Sequence, residues 1–196
     1  MPRSHASLRV ITDPRPPPVL PSAVLGMLIF VITEAMLFAG LISAFLIVKA
    51  SSLGAWPPPG QPRLPVEETA FNTAALLLSG IMLWRARRAF AELPSRALRP
   101  LAIAMGLGAF FVLFQGYEWA MMLGQGLTLG SSNHGSFFYL IVGAHALHAV
   151  GGLALLGSAW WRLRRGFLSG SSFAAAQVFW LFVVGLWPIL YLLVYG

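Results

Sequence analysis

The stretch from Phe137 to Trp161, FFYLIVGAHALHAVGGLALLGSAWW, contains no Asp, Glu, Lys or Arg. As a helix it is long enough to cross a bilayer. At its centre His145 and His148 lie one helical turn apart, followed by Gly151 and Gly152. Hydrocarbon does not solvate imidazole, so these rings must face protein, a bound group or water. A helix of this kind requires neighbours, and the rest of the chain has to supply them.

Four further apolar runs do so. The five are about Ala23–Val48, Thr69–Trp84, Leu101–Leu123, Ser136–Trp161 and Ala174–Tyr195. Backbone amides inside lipid must be paired within the chain, so runs of this length form helices. The second run is short in apolar residues, and its helix is expected to extend into VEET before it and RARRAF after it, with the arginines snorkelling to the surface. The expected helices are therefore about 23–48, 66–90, 101–123, 136–161 and 174–195. The fold class is all-α: an integral membrane bundle of five transmembrane helices over 23–196. Composition agrees. Only 10% of the 196 residues are charged, against roughly 25% in soluble domains. Cysteine is absent, which excludes disulfides, thiolate catalysis, iron–sulfur clusters and cysteine zinc sites.

Residues 1–22, MPRSHASLRVITDPRPPPVLPS, read as a basic, proline-rich N-terminal arm. A secretory signal peptide is disfavoured: the next apolar run is too long, contains Glu34 and lacks a clear small-residue cleavage site. A net charge of +7 is compatible with a nucleic-acid partner, but its placement argues otherwise. Five spans put the arm, the 85–100 loop and the 162–173 loop on one side, and that side carries eleven of the thirteen basic residues. Only Lys49 and Arg63 fall on the other. Positive charge stays inside, so the N-terminus is expected in the cytoplasm and the C-terminus outside, with no nucleic-acid partner. Arg85, Arg88, Arg162 and Arg165 are candidates for lipid headgroup contacts. The 49–68 loop, with Pro57, Pro58, Pro59, Pro62 and Pro65, reads as a stiff external strap.

The polar residues inside the spans are few. Glu34 lies near the middle of the first; a carboxyl there should face the bundle, either as a proton relay and carbodiimide-reactive acid or as a helix–helix hydrogen bond. His145 and His148 allow haem or metal ligation, but both are on one span and a metal would need another ligand nearby. The alternative is a buried hydrogen-bonded pair. Glu34 and His148 fall at similar depth by residue count and are expected to touch. Gln115 and Glu118, spaced i, i+3 near the outer end of the third span, would either shape a cavity or partner contact there or cap the interface. Gln177, Trp180, Trp187, Tyr191 and Tyr195 form an aromatic stripe suited to packing. Ala35, Ala39 and Ser43, and Gly143, Gly151 and Gly152, suggest close helix contacts. No phosphate loop, zinc-protease helix or nucleophile–base pair is present.

Taken in order, these segments resemble subunit III of the haem–copper oxygen reductases, the cytochrome c oxidase family. TEAMLFAGLISAF (33–45) resembles the family's glutamate-bearing helix, and WPPPG (56–60) with NTAALLLSG (72–80) its tryptophan–proline loop and next helix. FQGYEW (114–119), NHGSFFYLIVGAHALHAVGG (133–152) and WLFVVGLWPILYLLVY (180–195) match its glutamine–glutamate segment, paired-histidine helix and closing tryptophan-rich helix. Two departures stand out. Many members have seven spans, whereas this chain resembles a five-span form lacking the first two and the lipid cleft they create. Many relatives also carry a histidine and an aspartate where this chain has Leu181 and Val184.

The resemblance implies a non-redox subunit of a proton-translocating oxidase in the aerobic respiratory chain. It supports assembly, lipid binding and proton uptake, and no catalytic centre, cofactor or metal site is expected in this chain. Haems and copper belong to partner subunits I and II; small subunits and phospholipids are further expected partners. A multi-pass protein of the bacterial inner membrane follows. A quinol oxidase or nitric oxide reductase complex could use the same fold. A proton channel built on Glu34 and His148, or a haem-binding anchor, are the readings from other classes.

Overall fold

The computed structural model describes residues 20–52, 56, 62 and 64–195; the proline-rich arm and most of the 49–68 strap lie outside them. The described residues form five long helices, α1 (Ser22–Ser51), α2 (Val66–Glu92), α3 (Leu98–Gly124), α4 (Asn133–Arg164) and α5 (Gly170–Val194), with one 3₁₀ turn, Pro94–Ala97, between α2 and α3. No strand occurs among the described residues. Among the described residues four helices are long and apolar enough to cross a membrane; α2, at 27 residues, falls short in composition rather than length.

Local chemistry sets the ends. Ser132 accepts from the Gly135 amide at 3.0 Å, and Ser169 from the Ser172 amide at 3.2 Å, so α4 and α5 begin on side-chain caps. Past the end of α4, Gly166 takes φ +76°, and the Phe167 amide closes back on the Arg162 carbonyl at 2.9 Å. That left-handed stop suits glycine, which has no Cβ to clash.

The core gathers around Trp180 and Trp187 of α5, both fully buried. Trp180 lies against Gly108 of α3 and Gly152 of α4. A Cβ on either glycine would come 2.5 or 2.6 Å from the indole carbons. Its Nε1 donates to Ser79 Oγ at 2.9 Å, and Trp187 Nε1 donates to Thr73 Oγ1 at 2.8 Å. Each indole therefore fills the centre of the bundle and satisfies its single donor on α2. These partners explain the modest hydropathy of α2: Thr69, Asn72, Thr73 and Ser79 are buried on its inner face.

The first helix is peripheral. Of its 30 residues only Phe38 and Phe45 are buried, and among the helices of the described residues it packs against α5 and α4. Ala35 and Ala39 line an open apolar groove of about 410 Å³ with Gly185, so this small-residue stripe is not closed by another helix among the described residues. On α4, Gly152 makes the close approach, whereas a Cβ at Gly151 would meet nothing within 4 Å.

Candidate functional site

Two carboxyl-centred clusters hold the helices together. In the first, Glu34 Oε2 of α1 lies 2.9 Å from His148 Nε2 of α4. His148 Nδ1 is 2.7 Å from the Ala144 carbonyl oxygen, which can only accept, so Nδ1 carries a proton. The Nε2 contact then needs exactly one shared proton. Either Glu34 donates to a neutral imidazole, or an imidazolium donates to the carboxylate, and the pair is neutral overall both ways. The side chains are 17% and 12% exposed. Phe38, Phe179 and Phe182 surround the imidazole, with ring centroids 5.3, 6.1 and 6.5 Å away.

The second cluster joins α2, α3 and α5. Gln115 Nε2 donates to Glu118 Oε2 at 2.8 Å and to the Tyr195 hydroxyl at 3.1 Å. The Thr69 hydroxyl is 3.1 Å from both Glu118 oxygens and 2.7 Å from the Pro65 carbonyl. Nearby, Asn72 Nδ2 donates to the Phe111 carbonyl at 3.1 Å, and the Tyr191 hydroxyl donates to the Val66 carbonyl at 3.0 Å. Gln115 and Glu118 are 3% and 2% exposed. They point inward and bridge three helices; they do not cap the helix end at the interface. Buried polar groups of this kind must be paired; Gln115–Glu118 pairs within α3, while Thr69–Glu118, Asn72–Phe111 and Gln115–Tyr195 cross to other elements.

His145 is different. It is 1% exposed, and neither ring nitrogen has a hydrogen-bond partner among the described residues. Its ring lies 4.8 Å from that of Trp187 at an interplanar angle of 32°, with Phe111 and Phe38 edge-on. It does not join Glu34 and His148. No three His, Cys, Asp or Glu side chains among the described residues converge to hold a metal ion.

At the opposite end from Glu118, arginines stack on tryptophans: Arg88 over Trp84 at 3.7 Å, Arg164 over Trp160 at 4.8 Å and Arg165 over Trp161 at 4.3 Å. Arg162 lines a small cleft with Ser158 and Ser172, bounded by Met27 and Leu155. Leu181 and Val184 line an apolar groove against Gly80 of α2.

Sequence reasoning did not single out Thr69, Asn72, Thr73 or Ser79. Their signal was available: small polar residues recur along an otherwise apolar run at helical spacing, on one face.

A family model described as cytochrome c oxidase subunit III matches residues 16–196. A cytochrome c oxidase subunit 3 from Synechocystis is 34% identical over 175 residues, covering 87% of this chain and 73% of the relative. One from Lemur catta is 34% identical over 179 residues, covering 87% of this chain and 64% of the relative. The chain thus spans about two thirds to three quarters of these relatives' length.

Proposed function

Because the chain belongs to the cytochrome c oxidase subunit III family, we propose that it serves as the non-redox subunit of a haem–copper terminal oxidase. In this reading subunits I and II bring the haems and copper. This chain supports assembly, lipid binding and proton uptake in a bacterial inner membrane. The single observation that carries the proposal is the family match over nearly the whole chain. The chemistry of the interior supports it: Glu34 and Glu118 each hydrogen-bond to a side chain on another helix of the same bundle.

The topology belongs to the same proposal. All five helices span, α2 included. Its 27 residues extend about 40 Å, and its polar side chains are turned inward toward partners on α3 and α5. The arginine-rich ends then lie in the cytoplasm, where Arg85, Arg88, Arg162 and Arg165 meet anionic headgroups. Stacking of Arg88 and Arg165 on interfacial tryptophans supports this part of the reading.

Co-purification is the decisive experiment. The tagged chain, extracted in mild detergent, is expected to bring down a haem protein and a copper-bearing subunit II. A co-purified enzyme oxidising quinol without such copper would assign it to a quinol oxidase. A chain recovered without any haem protein, yet conducting protons in liposomes, would sink the proposal.

A further inference from the structure

The groove between α2 and α5 runs from Leu77 through Gly80 and Ile81 to Trp84, with Leu181 and Val184 as its other wall, and encloses about 570 Å³. Every lining side chain is apolar apart from the Trp84 indole, and Leu77, Ile81, Trp84 and Leu181 are exposed. Gly80 lets α2 and α5 pack closely at its floor: a Cβ there would come 3.0 Å from Val184 Cγ1. At the arginine end, the Arg88 guanidinium lies 3.7 Å above the Trp84 ring that closes the groove. Arg85 and Arg88 have no ion-pair partner among the described residues; Glu92, on the next turn, is paired with Arg96.

We propose that this groove seats one acyl chain of an anionic phospholipid whose phosphate is held by Arg88 and Arg85. The proposal rests on the lipid part of the reading above and gives it a place. Two features select this occupant. From Leu77 to Arg88 is eleven residues, about 16 Å along the helix, close to one leaflet of a hydrocarbon core about 30 Å thick. A transmembrane helix of a partner would require a furrow through both leaflets, whereas the lining stops at Leu77. The charge also lies at one end only, beside an indole, which is where a headgroup sits relative to its tails. Stacking on Trp84 orients the guanidinium, and its planar fork suits a phosphate.

The test is native mass spectrometry of the full chain, in whatever complex it purifies with, after equilibration with phosphatidylglycerol or phosphatidylcholine. Wild type is expected to retain phosphatidylglycerol in preference to phosphatidylcholine. Arg88→Gln should lose one retained copy, and Arg88→Lys should keep most of the occupancy. Ile81→Trp, which fills the groove from a half-exposed position, should lose the same copy, so that the double variant loses no more than either single. Unchanged retention in both Arg88→Gln and Ile81→Trp would overturn the groove. If Arg162→Gln then removed lipid, headgroup binding in general would survive. Equal, negligible retention of both lipids by wild type would overturn the lipid reading as a whole. Release of a partner subunit by Ile81→Trp, with lipid retained, would show a protein interface instead and also overturn the site.

Discussion

Glu34 and His148 meet at 2.9 Å across the α1–α4 boundary, and the second nitrogen of His148 is already committed to the Ala144 carbonyl. The imidazole is therefore held in one orientation by its own helix and offers its remaining nitrogen to a different one. The contact is an interhelical lock with a single proton at its centre.

Replacing that carboxyl by an amide should be tolerated. In Glu34→Gln the amide N–H donates to Nε2, and assembly with partner subunits should stay near wild type. Glu34→Leu leaves Nε2 unpaired in a nearly closed site, at a cost of roughly 1–3 kcal/mol. Yields of the assembled complex, and thermal unfolding in detergent, should rank wild type, Gln, then Leu. Equal values for the two variants would count against the lock.

The Glu118 cluster should behave as a unit. Glu118→Leu takes one acceptor from both Gln115 and Thr69, which keep Tyr195 and the Pro65 carbonyl, and is expected to cost about 1 kcal/mol. Combining Thr69→Val with it should add less than Thr69→Val costs alone, because the Thr69–Glu118 contact is already gone. Midpoints of thermal unfolding for the four proteins of the cycle measure this, and strict additivity would contradict it.

His145 and His148 should respond oppositely to phenylalanine. His145→Phe removes two nitrogens that have no partner among the described residues and keeps a ring in an aromatic setting; its effect on stability should be small. His148→Phe strands the Glu34 carboxyl and should destabilise by a clearly larger margin. The same thermal measurement on both variants decides the order.

The close seats of Trp180 supply a packing test. Gly108→Ala and Gly152→Ala each push a methyl group into the indole. Displacing a buried tryptophan that fills the core should cost roughly 1–3 kcal/mol. Gly151→Ala, with nothing within 4 Å, should fall within about 0.5 kcal/mol of wild type. A shift in tryptophan fluorescence should accompany the first two and not the third.

Much of this was legible in the chain. Long apolar runs carry their own instruction, because lipid leaves the backbone no alternative to a helix. Similar depth by residue count within their apolar runs is what pairs Glu34 with His148, and they meet at 2.9 Å. Direction around the axis was harder. Gln115 and Glu118 are close to the end of α3, and from position alone an interfacial role was natural. Their true neighbours, Thr69 and Tyr195, lie 46 and 80 residues away from Gln115 on helices whose rotation the sequence does not state. The second helix was hard to read for a related reason: its polar residues lower its apparent affinity for lipid although they face the two tryptophans of α5.

The placement of α1 bears on how the protein is made. Within this chain it is made before α4 and α5, the two helices it packs against. During insertion it must wait in the bilayer, with Glu34 facing lipid, water or the insertion machinery until His148 arrives. Conditions that slow translation or truncate the chain before α4 should leave this segment undocked, and quality-control proteases would meet it first.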